Sequence, residues 1–132
     1  MSRAAMLDAY LTEVQARAFD WAGWNCCTFA AGWVQRATGA RLMLGLPRTP
    51  SRLAAHRLIA QIGGTLRGVW SLWLRREPIE PALAQVGDIV GLSDEDAQAI
   101  GVCCGRTAAV LTEAGLCHVP MERAACAWRV EP

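Results

Sequence analysis

Trp21-Ala22-Gly23-Trp24-Asn25-Cys26-Cys27-Thr28-Phe29-Ala30-Ala31-Gly32-Trp33-Val34 is the stretch around which the chain is organised. Asn25 is a strong helix N-cap, because its side-chain oxygen accepts from backbone N–H groups that a first turn leaves unpaired. From Cys26 onward, Phe29, Trp33 and Val34 recur at the three-to-four-residue spacing of one helix face. The spacing predicts a mostly buried helix from Cys26 to about Ala37, with Gly39 as the stop after Thr38. Cys26 then stands in the first turn, at free N–H groups and the positive end of the macrodipole, which favour a thiolate over a thiol. Cys27 is rotated by about 100° around the axis, so only one of the two can face a cleft. The offset to Phe29 assigns the cleft to Cys26. A cysteine so placed is a nucleophile or the remnant of one.

On the N-terminal side, Ser2 caps an amphipathic helix over Arg3 to Ala18, with Ala5, Met6, Ala9, Tyr10 and Val14 on its apolar stripe. Phe19 to Trp24 is a loop. On the other side, Ala40 to Pro50 is a loop broken by Pro47 and Pro50. Ser51 caps a third helix, Arg52 to Gln61, ended by Gly63-Gly64. Thr65 to Arg76 is Trp-rich and fits a short helix or a strand. Glu77 to Pro81 is a connection.

The period then changes. Gly87-Asp88-Ile89-Val90-Gly91-Leu92 reads as a short buried strand after a turn, Ser93 to Gln98 as an acidic loop, and Ile100 to Gly105 as an apolar strand. Thr107 to Leu111 and Leu116 to Pro120 form a hairpin about Glu113-Ala114-Gly115, and Ala125 to Val130 is a last strand. Helices first and an antiparallel sheet afterwards is an α+β order, in one domain over 1–132.

A net charge of +1, with no basic run, gives no electrostatic case for nucleic acid or an anionic membrane surface. No apolar run reaches the roughly 18 residues of a membrane span. Met1 to Ala5 lacks the pattern of a Sec signal, so a product made in the cytoplasm is expected. Hydrophobic residues make up 53% of the chain and charged ones 19%, with six tryptophans, which suggests that part of the apolar content covers a partner surface. The six cysteines are Cys26, Cys27, Cys103, Cys104, Cys117 and Cys126. They contain no C-x-x-C pair, and adjacent cysteines on a strand point to opposite faces, so buried thiols are expected rather than a metal site. No cofactor is implied.

The order of a cysteine at a helix start, a Gly-Asp-Ile-Val strand, a glycine-bounded apolar strand and a hairpin resembles the NlpC-type cysteine peptidases, papain-like folds that cut peptidoglycan stem peptides. Their Asp-Cys-Ser-Gly-Phe motif is matched by Asn25-Cys26-Cys27-Thr28-Phe29, and their Gly-Asp-Leu-Val by Gly87-Asp88-Ile89-Val90. Their His-Val-Gly-Ile-Tyr-Leu-Gly strand is matched by Ala99-Ile100-Gly101-Val102-Cys103-Cys104-Gly105. Over residues 10 to 130 the chain also resembles a small phage family encoded in tail modules near the tail-tip genes. That likeness lies in the Trp24 to Trp33 run with its Cys-Thr-Phe-Ala core, the Gly87-Asp88 and Gly101 to Gly105 strands, and the Ala127-Trp128-Arg129-Val130 ending.

The resemblance implies a papain-like arrangement with Cys26 at the nucleophile position. It also implies a place in a virion tail tip built in the host cytoplasm, with other tail-tip or hub proteins as partners. The departures are Asn25 for the aspartate before the cysteine and Ala99 for the catalytic histidine. Without an imidazole nothing takes the thiol proton or returns it to a leaving amine. Two histidines are available as substitutes. His118, in the hairpin, is the candidate alternative base, since such pairs are defined by geometry and not by chain order. His56, in the third helix, reads as a surface residue. Asp88 reads as a strand cap or turn residue. Two functions are therefore expected to compete: a structural tail-tip or baseplate component on a degenerate peptidase fold, and an active peptidase cutting peptidoglycan stems.

Overall fold

The computed structural model describes residues 1–43, 46–92 and 99–131. The acidic loop expected over Ser93 to Gln98 lies outside the described residues, as do Leu44 and Gly45 of the Ala40 to Pro50 loop. Four helices come first: α1 (Arg3–Val14), α2 (Cys26–Thr38), α3 (Arg52–Gly63) and α4 (Leu66–Leu74). Five strands follow: β1 (Ile89–Leu92), β2 (Ala99–Cys103), β3 (Thr107–Thr112), β4 (Gly115–Pro120) and β5 (Ala124–Trp128). They form one antiparallel sheet in the order β4-β3-β2-β1-β5. Among the described residues no helix is long and apolar enough to cross a membrane.

α2 is the central packing element. Asn25 accepts from the backbone N–H groups of Cys27 and Thr28, and the Thr28 hydroxyl closes the capping box on the Asn25 N–H at 2.8 Å. Gly39 ends the helix at φ 82°, a left-handed conformation that a Cβ would oppose. Phe29, Trp33 and Val34 are buried against Ile89, Ile100, Val102, Ala109 and Trp128 on one face of the sheet. The Trp33 indole N–H donates to Gly87 O at 2.7 Å and so ties α2 to the turn before β1. The other face carries a second cluster of Val90, Leu92, Cys103, Ala108, Val110 and Ala127.

α1 packs across α2 at Gly32. The Tyr10 hydroxyl donates to Phe29 O at 2.6 Å, and burial pushes its pKa up to about 12, so it stays a donor. A Cβ at Gly32 would stand 2.5 Å from that oxygen. Gly32→Ala is therefore expected to break the hydrogen bond and part the helices, lowering stability by about 1–3 kcal/mol in urea denaturation.

One sequence expectation is corrected and one open alternative is decided. The first helix stops at Val14 instead of Ala18, because the chain turns there and lays the Arg17 guanidinium over the Trp24 ring at 4.0 Å. The ambiguous Thr65 to Arg76 stretch is helix α4: the Thr65 side chain caps it, and Gly68 lets its first turn meet the end of α3, since a Cβ there would come within 2.3 Å of Gly63 O. Trp33, Trp70 and Trp128 are fully buried and Trp24 nearly so, while the exposed large apolar side chains among the described residues are Met1, Leu53, Leu72 and Leu83.

Asp88 behaves as the turn residue that the sequence suggested. It is 4% exposed; one carboxylate oxygen accepts from Gln85 N at 2.9 Å and the other from Val130 N at 3.0 Å. It thereby fastens the end of the chain to the start of β1.

Candidate functional site

The N-cap geometry of Asn25 fixes where the two neighbouring thiols point. Cys27 is buried and Cys26 half-buried, and both line one cavity. Cys26 packs against both apolar clusters at the end of the sheet.

The electrostatics of the two sulfurs are opposite. The Cys27 thiol, and then the backbone N–H groups of Ile100, Cys27 and Cys26, favour the thiolate form of Cys26. Those donors outweigh the cost of burial and bring the Cys26 pKa down to about 7. Donation to its neighbour and then burial raise Cys27 well above the ordinary thiol range. Burial likewise raises Cys103, Cys104 and Cys126. All six cysteines are free thiols. Among the described residues no group of three or more His, Cys, Asp or Glu side chains is placed to hold a metal ion.

The Ile100 N–H contact brings the start of β2 to the sulfur. Residue 99 precedes that N–H on the chain, so its Cα lies within about two covalent bonds of the hydrogen-bonding nitrogen. The side chain there is the methyl of Ala99, which packs against the second apolar cluster. Among the described residues, the position at the start of β2 that a strand-borne base would use thus holds an alanine.

The two histidines fall differently from the sequence expectation. His118 is not brought to the sulfur. It is exposed on β4, the edge strand, opposite Ala109, and its Nδ1 lies 3.3 Å from the Thr107 hydroxyl. Through Ala109 it stands in line with Val102 of β2, about 10 Å away across two strand spacings. His56 is the histidine that shares the cavity. It lies on α3, exposed, and lines a space of about 530 Å³ together with Cys26, Cys27, Trp21, Thr49 and the apolar side chains Leu58, Ile59, Ile62 and Leu66. Among the described residues no hydrogen bond joins its ring to the Cys26 sulfur. No spacing in the sequence signals this approach of α3 to the start of α2, because it is set by the loop between them. Thr49 donates to Trp21 O at 2.9 Å and Arg48 to Ala22 O at 3.1 Å, which hold that loop against the N-terminal side of α2.

The arrangement can generate a thiolate near neutral pH and can hold an oxyanion near the N–H groups at the helix start. Among the described residues no histidine or carboxylate is hydrogen-bonded to the sulfur to protonate an amine leaving group. No curated protein matches the chain. The model of a domain of unknown function, DUF6950, matches residues 2–130, and the chain belongs to that family.

Proposed function

We propose that this chain is a papain-like module of the NlpC type whose hydrolytic machinery has been dismantled, and that it serves as a structural part of a phage tail tip or baseplate hub. The observation that carries the loss of hydrolysis is that Cys26, at the head of α2, and Ala99, at the start of β2, pack against the same apolar cluster, with an alanine where the peptidases have their histidine. Amide cleavage needs a proton delivered to nitrogen, and loss of the base from a nucleophile–base pair removes most of the catalytic advantage. The order of elements supports the peptidase ancestry: a cysteine at the head of α2, packed on an antiparallel sheet, with the Gly87-Asp88 motif in the turn before β1 and the Gly101 motif on β2. The tail-tip setting rests on the likeness to the phage tail-module family over residues 10 to 130.

One observation favours a second reading. His56 opens onto the same cavity as Cys26, so a peptidase with its base on α3 would cut stem peptides through that pair. Incubation with purified peptidoglycan, followed by mass spectrometry of the soluble fragments, separates the two. The assembly reading expects the same null release from the wild type, Cys26→Ala and His56→Ala. Release by the wild type that both substitutions abolish would establish the peptidase instead.

A further inference from the structure

A second cavity, of about 570 Å³, opens between the end of α2, the end of α4 and the residues that follow β5. Its rim carries Arg41, Arg75, Arg76 and Arg129 against a single acidic residue, Glu131. That is a local excess of three positive charges in a chain whose net charge is only +1. Arg76 is engaged with Glu131 at 3.4 Å, a long and half-exposed pair. Among the described residues the guanidinium groups of Arg41, Arg75 and Arg129 have no ion-pair or hydrogen-bond partner. Guanidinium groups match carboxylates with two parallel hydrogen bonds, and several of them around one apolar-floored hollow form a receptor for carboxylates.

Arg75 strengthens the case because its backbone position does not call for arginine. It terminates α4 in the left-handed region, at φ 56° and ψ 42°. Glycine is the residue that such a helix stop prefers, and a side chain there carries a steric cost. The stop is better served without the side chain, so the guanidinium is not there for the turn.

This cavity adjoins the one that holds Cys26: Met43, Leu46 and Trp73 line both. The two differ in character. The first is cationic at the ends of α4 and β5, whereas the second carries Arg52 but has apolar walls between α3 and α4, formed by Leu58, Ile59, Ile62 and Leu66. An extended chain with charge at one end and apolar side chains at the other is complementary to the two together.

We propose that this groove docks an extended segment of a partner protein, with Asp or Glu side chains held by Arg41, Arg75 and Arg129 and apolar side chains laid past Trp73 between α3 and α4. The proposal rests on the assembly reading and names the chemistry of the partner that reading requires.

The test is selection of a random peptide library displayed on yeast against the purified chain, run in parallel on Arg75→Gly, Arg129→Gln and Cys26→Ala. Recovered peptides are expected to pair a cluster of Asp or Glu with an adjacent apolar run. Arg75→Gly and Arg129→Gln are each expected to reduce their recovery by about tenfold, and higher salt is expected to weaken it further. Arg75→Gly is expected to melt at the same temperature as the wild type or higher, so lost binding would not reflect lost folding. Recovery of peptides without an acidic excess, or binding indifferent to Arg75→Gly and Arg129→Gln, would overturn the proposal. Cys26→Ala separates the two readings: intact peptides recovered equally by it and the wild type support the groove together with the assembly reading, whereas peptides cut only when Cys26 is present would sink the assembly reading and leave the groove intact.

Discussion

Ala99→His is expected to create a cysteine–histidine pair where the wild type has none. Cys26 and Ala99 pack against the same apolar cluster, so a longer side chain at position 99 starts on the side of the sheet that the thiol also reaches. An imidazole at that position has the reach to take the thiol proton and to stabilise the thiolate as an ion pair. Thiols paired in this way titrate at about 3.5–7.5, against roughly 8.5 for a free cysteine. In the wild type the depression comes from neutral donors: first the Cys27 thiol, then backbone N–H groups. The variant should therefore alkylate with iodoacetamide at pH 5–6, where the wild type is largely protonated. A positioned general base is worth about 10²–10⁴-fold in rate, so measurable hydrolysis of a stem-peptide substrate should appear with it. An unchanged alkylation profile would show that residue 99 does not address the sulfur.

Asp88→Ala is expected to cause a large loss of stability without bearing on the thiol. The carboxylate is 4% exposed and accepts from Gln85 N and Val130 N, on two segments 45 residues apart in sequence. Truncation leaves both N–H groups without an acceptor, the Val130 one fully buried. Each hydrogen bond to a charged acceptor is worth about 1.5–3 kcal/mol, so a total of about 3–5 kcal/mol is expected from urea denaturation. That is a substantial share of the 5–15 kcal/mol that holds a typical domain. Asp88→Asn keeps one acceptor oxygen and should lose less. If Asp88→Ala unfolds at the wild-type denaturant concentration, the carboxylate does not fasten the chain end.

The legibility of this fold in its sequence follows the range of the forces. α2 was readable nearly to the residue, because Asn25 and Gly39 act on neighbouring backbone groups. The β3–β4 hairpin was readable for the same reason, its register passing through the turn at Glu113 and Ala114. α4 was not, because Leu66, Val69, Trp70, Leu72 and Trp73 satisfy either period, and what decides is the approach of Gly68 to Gly63 in space. The end of α1 was overrun because an interaction with Trp24 competes with helical propensity there.

The site divides in the same way. The depressed Cys26 thiol was legible, since its causes are the helix start and the adjacent residue, with only Ile100 brought from elsewhere. The choice of histidine was not. His118 sits in a strand of the right half of the chain and ends exposed on the sheet edge, while His56 looks like an ordinary helix-surface residue and ends at the rim of the cavity. The arginine-lined hollow gathers side chains from three separate segments, and no local spacing encodes that meeting.

The proposed loss of hydrolysis requires a Cys26 thiol without an imidazole partner, and the pH profile of its alkylation reads that out. Iodoacetamide labelling is followed residue by residue by mass spectrometry in the wild type, His56→Ala and His118→Ala. Cys26 should react first, ahead of Cys27, Cys103, Cys104 and Cys126, whose pKa values burial and neighbouring thiols hold up. Its rate should rise through a single ionisation below the ordinary thiol range, in the same place in all three proteins. A histidinium beside the sulfur would stabilise the thiolate, so removing it would move that ionisation upward. An upward shift of about one pH unit or more in His56→Ala or His118→Ala would show a Cys–His pair and contradict the dismantled site.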